Sequence, residues 1–198
     1  MKHAHTEKQQ HLLSRWSEAL GTPAFKSHRI TLDHLSNALE PASQRSFQRL
    51  VQALFREGLI SPDDCQYDEH NRCWLPLDNG VQLCFEHLSA GRMNSWDVRG
   101  SITLHSPASL PHKIQLPSEL LAHLSTRLNP PASSEVLQRL AEELDDSFSN
   151  DTLCLAFHHG WTLQLKEQVG VEHDDNLLAW LKASPLHQNP TSLLEQWG

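Results

Sequence analysis

The chain has little that would take it to a membrane, to nucleic acid or into a disulfide framework. No stretch approaches the roughly 20 consecutive apolar residues that span a bilayer. The polar opening MKHAHTEKQQ has no apolar core of a secretory signal, so a cytoplasmic protein with no membrane partner is expected. Basic residues are in deficit: 16 Lys and Arg face 24 Asp and Glu, a net charge of -8. That argues against a nucleic-acid partner, which would call for a basic patch or stripe. The 4 cysteines, Cys65, Cys73, Cys84 and Cys154, form no C-x-x-C pair. They are expected as reduced, buried thiols, with Cys84 and Cys154 acting as small hydrophobes inside apolar runs. The 8 glycines are dispersed. They build no phosphate-cradling G-x-x-x-x-G-K-[ST] loop, no G-x-G-x-x-G turn and no G-x-S-x-G nucleophile elbow.

What is present is a chain able to bury a core. Hydrophobic residues make up 38%, with 6 Trp and 6 Phe supplying large area per side chain. Apolar spacing predicts a helix over His11–Leu20, closed by Gly21-Thr22-Pro23, and a second over Leu32–Leu39 starting at Thr31 or Asp33. Pro41 is expected to break the chain there. A third helix, capped by Ser43, carries Phe47, Leu50, Val51, Leu54 and Phe55 on one face and ends at a left-handed Gly58.

The period then becomes two. Arg72–Leu77 reads as a strand, Asp78-Asn79-Gly80 as a type I′ turn and Val81–Leu88 as its partner. A further turn is expected near Ser89-Ala90-Gly91, then one or two further strands over Met93–Leu104 with a bulge or bend at Gly100. Residues 64–105 thus form a three- or four-stranded antiparallel meander. Ser106–Pro117 reads as a loop. Helices return over Ser118–Leu128, ended by Asn129-Pro130-Pro131, and from Ser133 or Ser134 through Val136, Leu137, Leu140 and Leu144. Leu153–Phe157 extends or follows that helix, and Gly160 interrupts before Trp161–Val169. A last helix opens at Asp174 or Asp175 through Leu177, Leu178, Trp180 and Leu181, and Pro185 and Pro190 bracket a loop. The fold class is α+β, with residues 1–130 holding the amino-terminal helices and meander and 131–198 a helical segment.

No catalytic constellation is complete. The 14 histidines do not converge at zinc-ligand spacing: His158 and His159 are neighbours pointing apart, and His3 and His5 lie in a loose start. Arg92 and Arg99 suit a carboxylate or phosphate by bidentate geometry, or simply project from the strands. Glu142, Glu143, Asp145 and Asp146 offer carboxylates to magnesium, or form a solvated helix face. Trp161, Trp180 and Trp197 read as core or interface anchors. The catalytic and metal sets are therefore empty, and the cofactor-binding set is unassigned.

A family resemblance is carried by ordered, short motifs. Glu143-Leu144, Ser147 and Asn150 in RLAEELDDSFSNDTLCLAF resemble the "E-L-x-x-S/T-x-x-N" helix of the siderophore synthetases that work without a nonribosomal peptide template, the aerobactin-synthetase-like family. Leu54-Phe55-Arg56-Glu57-Gly58-Leu59-Ile60 is similar to that family's "L-L-x-E-G-L" helix. Arg99-Gly100 and Ile102–Leu104 stand in the place of its small sheet. Ser184-Pro185-Leu186 and Leu193–Gly198 resemble the segment before its "G-H-P-x-H-P-x-x-K" loop, of which Gly198 would be the first residue. The family often has several arginines in its sheet, and this chain has few.

The resemblance implies the thumb-like lobe of a cupped-hand enzyme. Such enzymes adenylate a carboxylic acid, usually citrate or a derivative, using ATP and Mg2+. They then condense it with an amine or alcohol in siderophore biosynthesis for iron acquisition. The family's nucleotide- and citrate-binding motifs match no position here, so no catalytic residue is carried over. The segment Asn189–Gly198 reads as a helix opening with nothing to pack on, so the chain is expected to be an amino-terminal fragment, inactive alone, with a dimer surface among its possible roles. The competing expectations are a non-catalytic α+β module that binds a protein or small ligand, and a complete small enzyme of another class.

Overall fold

The structure is a computed structural model that describes residues 2–169, with the side chains of 2–9, 94, 165, 166, 168 and 169 excepted. The helix expected from Asp174 or Asp175, Trp180, Trp197 and the motif segments after residue 183 lie outside the described residues. The described residues form an α+β fold, with five α-helices and one five-stranded antiparallel sheet in the order β1-β2-β3-β4-β5. The chain divides into two compact units, Leu39–Thr152 and the remainder on either side of it.

The larger unit is built on the second part of helix α3 (Leu32–Arg56), the sheet, helix α4 (Pro117–Leu124) and the first part of helix α5 (Ser134–Val169). The strands are β1 (Gln66–Tyr67), β2 (Cys73–Pro76), β3 (Gln82–Ala90), β4 (Trp96–Ser106) and β5 (Ser109–Lys113). Phe47, Val51 and Leu54 of α3 meet Leu75, Phe85 and Ile102 of the sheet in one core, closed by Leu120 and Leu124 of α4. Alternation explains which sheet residues face it: Cys73 and Leu75 are buried, while Trp74 and Pro76 are half-exposed.

α3 ends as its sequence demands. Gly58, at φ +68, donates its N–H to Phe55 O at 3.1 Å, and Leu59 N–H reaches back to Leu54 O at 2.9 Å. This is the six-to-one, five-to-two pattern of a Schellman motif. The β2–β3 turn has both central residues left-handed, Asn79 at φ 57 and Gly80 at φ 72, as a type I′ turn requires.

Four expectations are corrected. Pro41 does not break the chain: α3 runs through it, and Ser43 sits inside the helix with its Oγ donating to Gln115 O at 3.4 Å. Proline removes one N–H, here the partner of the Asn37 carbonyl, but Pro41 and Asn37 are exposed and water can take that place. Buried Leu35, Ala38 and Ala42 keep the apolar stripe continuous across the proline. The turn expected at Ser89-Ala90-Gly91 falls later, around Arg92–Asn94, with Met93 at φ 58 and Ala90 paired to Trp96.

The sheet also has five strands rather than three or four, because β5 lies within the expected loop Ser106–Pro117 and pairs Lys113 with Thr103. β5 reaches only the later part of β4. Over the earlier part, Gln44 and Gln48 of α3 replace it: Val98 N–H donates to Gln48 Oε1 at 2.6 Å, and the two side-chain amides donate to Val98 O and Trp96 O.

The smaller unit contains α1 (Lys2–Gly21), α2 (Pro23–Ser27), the start of α3 and the later part of α5. α1 takes in His3 and His5, read from the sequence as a loose start. Thr31, not Asp33, precedes α3, and its N–H donates to His34 Nδ1 at 3.1 Å, the reciprocal half of a capping box with imidazole in place of carboxylate.

The fourth correction is Gly160, which does not interrupt: α5 is continuous from Ser134 to Val169. The glycine is needed for approach rather than for bending. A Cβ there would lie 2.3 Å from Ile30 Cδ1 and 3.4 Å from the His34 ring. Beside it Phe25 and Phe157 pack edge to face at 5.5 Å, and Trp161 is buried.

Candidate functional site

The polar face of the sheet in the larger unit gathers several chemically capable side chains. The register aligns Gln66, Trp74, Cys84, Thr103 and Lys113 in one row across all five strands. Trp74 meets the His105 ring at 4.8 Å, and the Arg72 guanidinium sits 5.6 Å from the Trp74 ring centroid. Thr103 Oγ1 and His105 Nε2 are hydrogen-bonded at 3.0 Å. Beneath them Cys84 is buried, and desolvation pushes its thiol pKa up.

One residue that the sequence did not single out organises this corner. The Asp68 carboxylate accepts from Trp74 Nε1 at 3.0 Å, Arg72 Nε at 2.8 Å, Arg72 N at 3.0 Å and His70 N at 2.9 Å. The indole bond and the others hold its pKa far below the ordinary carboxylate range. The signal available was D-x-x-N-R, an aspartate opening a tight turn with Asn71 left-handed at φ 59.

Further along, Gly100 has φ +74, and the β3–β4 register shifts between Phe85 and His87. This is the bulge expected at Gly100. It lets Glu86 accept from Ser101 N at 2.8 Å and Ser101 Oγ at 3.0 Å, which lowers the Glu86 pKa.

This face has an aromatic plate, a guanidinium and an ammonium, which suits binding more than reaction. Thr103 and His105 make a hydroxyl and a base, two parts of an activated nucleophile. No carboxylate among the described residues orients the imidazole. Arg72 is paired with Asp68, and Arg99 with Asp97 at 2.7 Å. Arg92 lies exposed in the β3–β4 turn, so the two arginines singled out from the sequence are not brought together around an anion.

The four acids of α5 do not form a magnesium cradle. Glu143 bonds Arg139 at 3.1 Å and Glu142 accepts from Gln138 at 3.2 Å. Asp145 accepts from Ser118 N–H at 3.2 Å, capping the amino end of α4 from the neighbouring helix. Among the described residues no group of three or more His, Cys, Asp or Glu is placed to hold a metal ion.

The motif residues themselves share one side of α5. At 100° per residue, Glu143, Ser147 and Asn150 fall within about 60° of arc, and all three are exposed. Leu144, Phe148 and Thr152 turn the other way, Phe148 and Thr152 being buried. Cys154 continues the exposed stripe, contrary to the buried role expected for it, because it lies four residues beyond Asn150.

No family model matches the chain, and no solved structure matches it. It is similar to the uncharacterised protein y4xN of Sinorhizobium fredii, 27% identical over 162 residues, which cover 81% of this chain and 26% of that protein. The chain therefore spans about a quarter of the length of the curated relative it matches. No helix among the described residues is long and apolar enough to cross a membrane.

Proposed function

We propose that this chain is the amino-terminal lobe of a longer, cytoplasmic ATP-dependent siderophore synthetase. The whole enzyme would adenylate a citrate-like carboxylic acid and condense it with an amine or alcohol. The observation that carries the reading is the exposed polar face of α5 on which Glu143, Ser147 and Asn150 lie together. The helix packs through its opposite side, so those residues lie on its solvent face. Similarity to a protein roughly four times the matched span supports a lobe rather than a whole enzyme.

Charge supports the same division of labour. Adenylation brings two anionic reactants together, and developing charge must be met by converging cations. Here Arg49, Arg72, Arg99, Lys113, Arg127 and Arg139 each face a different carboxylate on separate elements. In this reading the lobe forms a wall of the cleft and takes no step of the chemistry.

The test is ATP–pyrophosphate exchange with citrate, run on the 198-residue chain and on the full product of its reading frame. Exchange only by the longer product is expected. Exchange by residues 1–198 alone overturns the lobe assignment. A stop codon directly after Gly198, or a longer product inactive with citrate and related acids, favours the second reading. That second reading, a non-catalytic ligand-binding module, is favoured by the Trp74–Arg72–His105 face. Ligand-dependent fluorescence that is lost in Trp74→Phe would support it.

A further inference from the structure

Two thiols meet at the edge of the sheet. Tyr67 of β1 lies opposite Cys73 of β2, and Gln66 opposite Trp74. Cys65 directly precedes β1 with extended backbone, φ -83 and ψ 133. Strand alternation therefore returns its side chain to the face of Tyr67 and Cys73. Cys65 packs, half-buried, on the same core that fully buries Cys73. The two thiols are close enough to shift each other's ionisation. Cys84 belongs to the opposite face of the sheet, opposite Trp74.

We propose that Cys65 and Cys73 form a reversible oxidation site, in which a hydroperoxide oxidises Cys65 and Cys73 then closes on it as a disulfide. The Cys65 thiolate attacks one peroxide oxygen. An S–O bond forms, the O–O bond breaks, and the released hydroxide leaves as water once protonated. The Cys73 sulfur then displaces the hydroxyl of the Cys65 sulfenic acid, which departs as a second water with the Cys73 proton. The sum is two thiols and one hydrogen peroxide giving one disulfide and two waters.

The order of attack follows from the environments. Cys65 is the more accessible of the two, and its interaction with the neighbouring Cys73 thiol lowers its pKa. Cys73 is buried, and its interaction with Cys65 together with desolvation raises its pKa. Thiolate character and access select the sulfur that reacts first. Disulfides join Cα atoms about 4.4–6.8 Å apart. Any closing movement falls on β1, a two-residue edge strand, and on the turn Pro62–Asp64 before it, not on the core.

The test uses the 198-residue protein with Cys154→Ser, which removes the exposed thiol. The protein is treated with hydrogen peroxide, quenched, unfolded, alkylated with N-ethylmaleimide and weighed intact, then mapped by peptides. Three alkylatable thiols should fall to one, with the Cys65 and Cys73 peptides joined, and dithiothreitol should restore three. In the same background, Cys73→Ser should leave Cys65 as a dimedone-reactive sulfenic acid. Cys65→Ser should leave both remaining thiols alkylatable. Three alkylatable thiols after peroxide, a bridge that uses Cys84, or Cys65 passing to sulfinic acid without a bridge would each overturn the proposal.

Discussion

Substituting Gly160 by alanine sets two known effects against each other, and Ile30 decides the sign. Alanine in place of glycine inside a helix gains about 1 kcal/mol from backbone propensity. The added Cβ would lie 2.3 Å from Ile30 Cδ1, well inside van der Waals contact, while the 3.4 Å approach to the His34 ring is tolerable. Ile30 is 7% exposed, so its terminal methyl has little room to swing away. Overpacking of this kind costs about 1–3 kcal/mol, so Gly160→Ala is expected to destabilise by about 1 kcal/mol. Ile30→Val deletes the obstructing methyl and alone costs about 1 kcal/mol as a cavity. In the double variant the new Cβ occupies the space that the methyl leaves, and the helix keeps its propensity gain. The double variant should therefore stand within about 0.5 kcal/mol of the parent, a favourable coupling of about 1.5–2 kcal/mol, far outside the scatter for independent sites. Urea denaturation followed by far-ultraviolet circular dichroism and tryptophan fluorescence measures all four corners of the cycle. Additive effects, or a single Gly160→Ala that stabilises, would refute the close approach of α5 to Ile30 as the reason for this glycine.

Gly58 and Gly100 separate backbone strain from contact. Both have positive φ, but a Cβ at Gly58 meets open space, whereas one at Gly100 lies 2.5 Å from Glu86 Oε2 and 3.1 Å from Glu86 Cβ. Gly58→Ala should cost about 1 kcal/mol and Gly100→Ala about 2–3 kcal/mol in the same urea assay; equal costs would contradict the bulge geometry. Asp68→Asn tests the corner at Trp74. The folded-state pKa of Asp68 is depressed, so its contribution is fully present above the unfolded value of about 3.9 and is lost as pH falls through the folded value. The melting temperature of Asp68→Asn should lie below the parent's at pH 7 and converge on it under strongly acidic conditions. A gap that does not narrow with acid would show that the indole bond, not the charge, carries the effect.

The parts of the fold legible in the sequence are those where local and tertiary demands agree. The Phe47–Phe55 stripe, Gly58, the Asn79-Gly80 turn and the Gly100 bulge each need one residue type for one backbone geometry, and each is found there. The failures come where a local rule is outweighed by packing. Pro41 removes one hydrogen bond on an exposed side, while Ala38 and Ala42 bury the other. Gly160 looks like a helix breaker but is a spacer between side chains. β5 was invisible for a different reason. All five of its residues are exposed, so it has no hydrophobic alternation, and Pro111 argues for a loop. At an edge strand the missing proline N–H costs nothing to the ladder.

The site was less legible than the fold, because exposed polar residues answer to no packing rule of their own chain. The Asp68 corner shows why composition misleads here. From the sequence Arg72 only opens the strand Arg72–Leu77, and Asp68 carries no assigned role. The structure spends the guanidinium on Asp68 at 2.8 Å and sets it against the Trp74 ring. The acids of α5 behave alike: Asp145 caps α4 and Glu143 pairs along its own helix. Pairs this exposed are each worth about 0–1 kcal/mol, so a ligand could still recruit any one of these cations. It could not recruit several, because they belong to different elements and do not converge. Under the proposed lobe assignment the converging charges come from elsewhere in a longer protein, and the exchange assay on the longer reading frame asks whether they are supplied there.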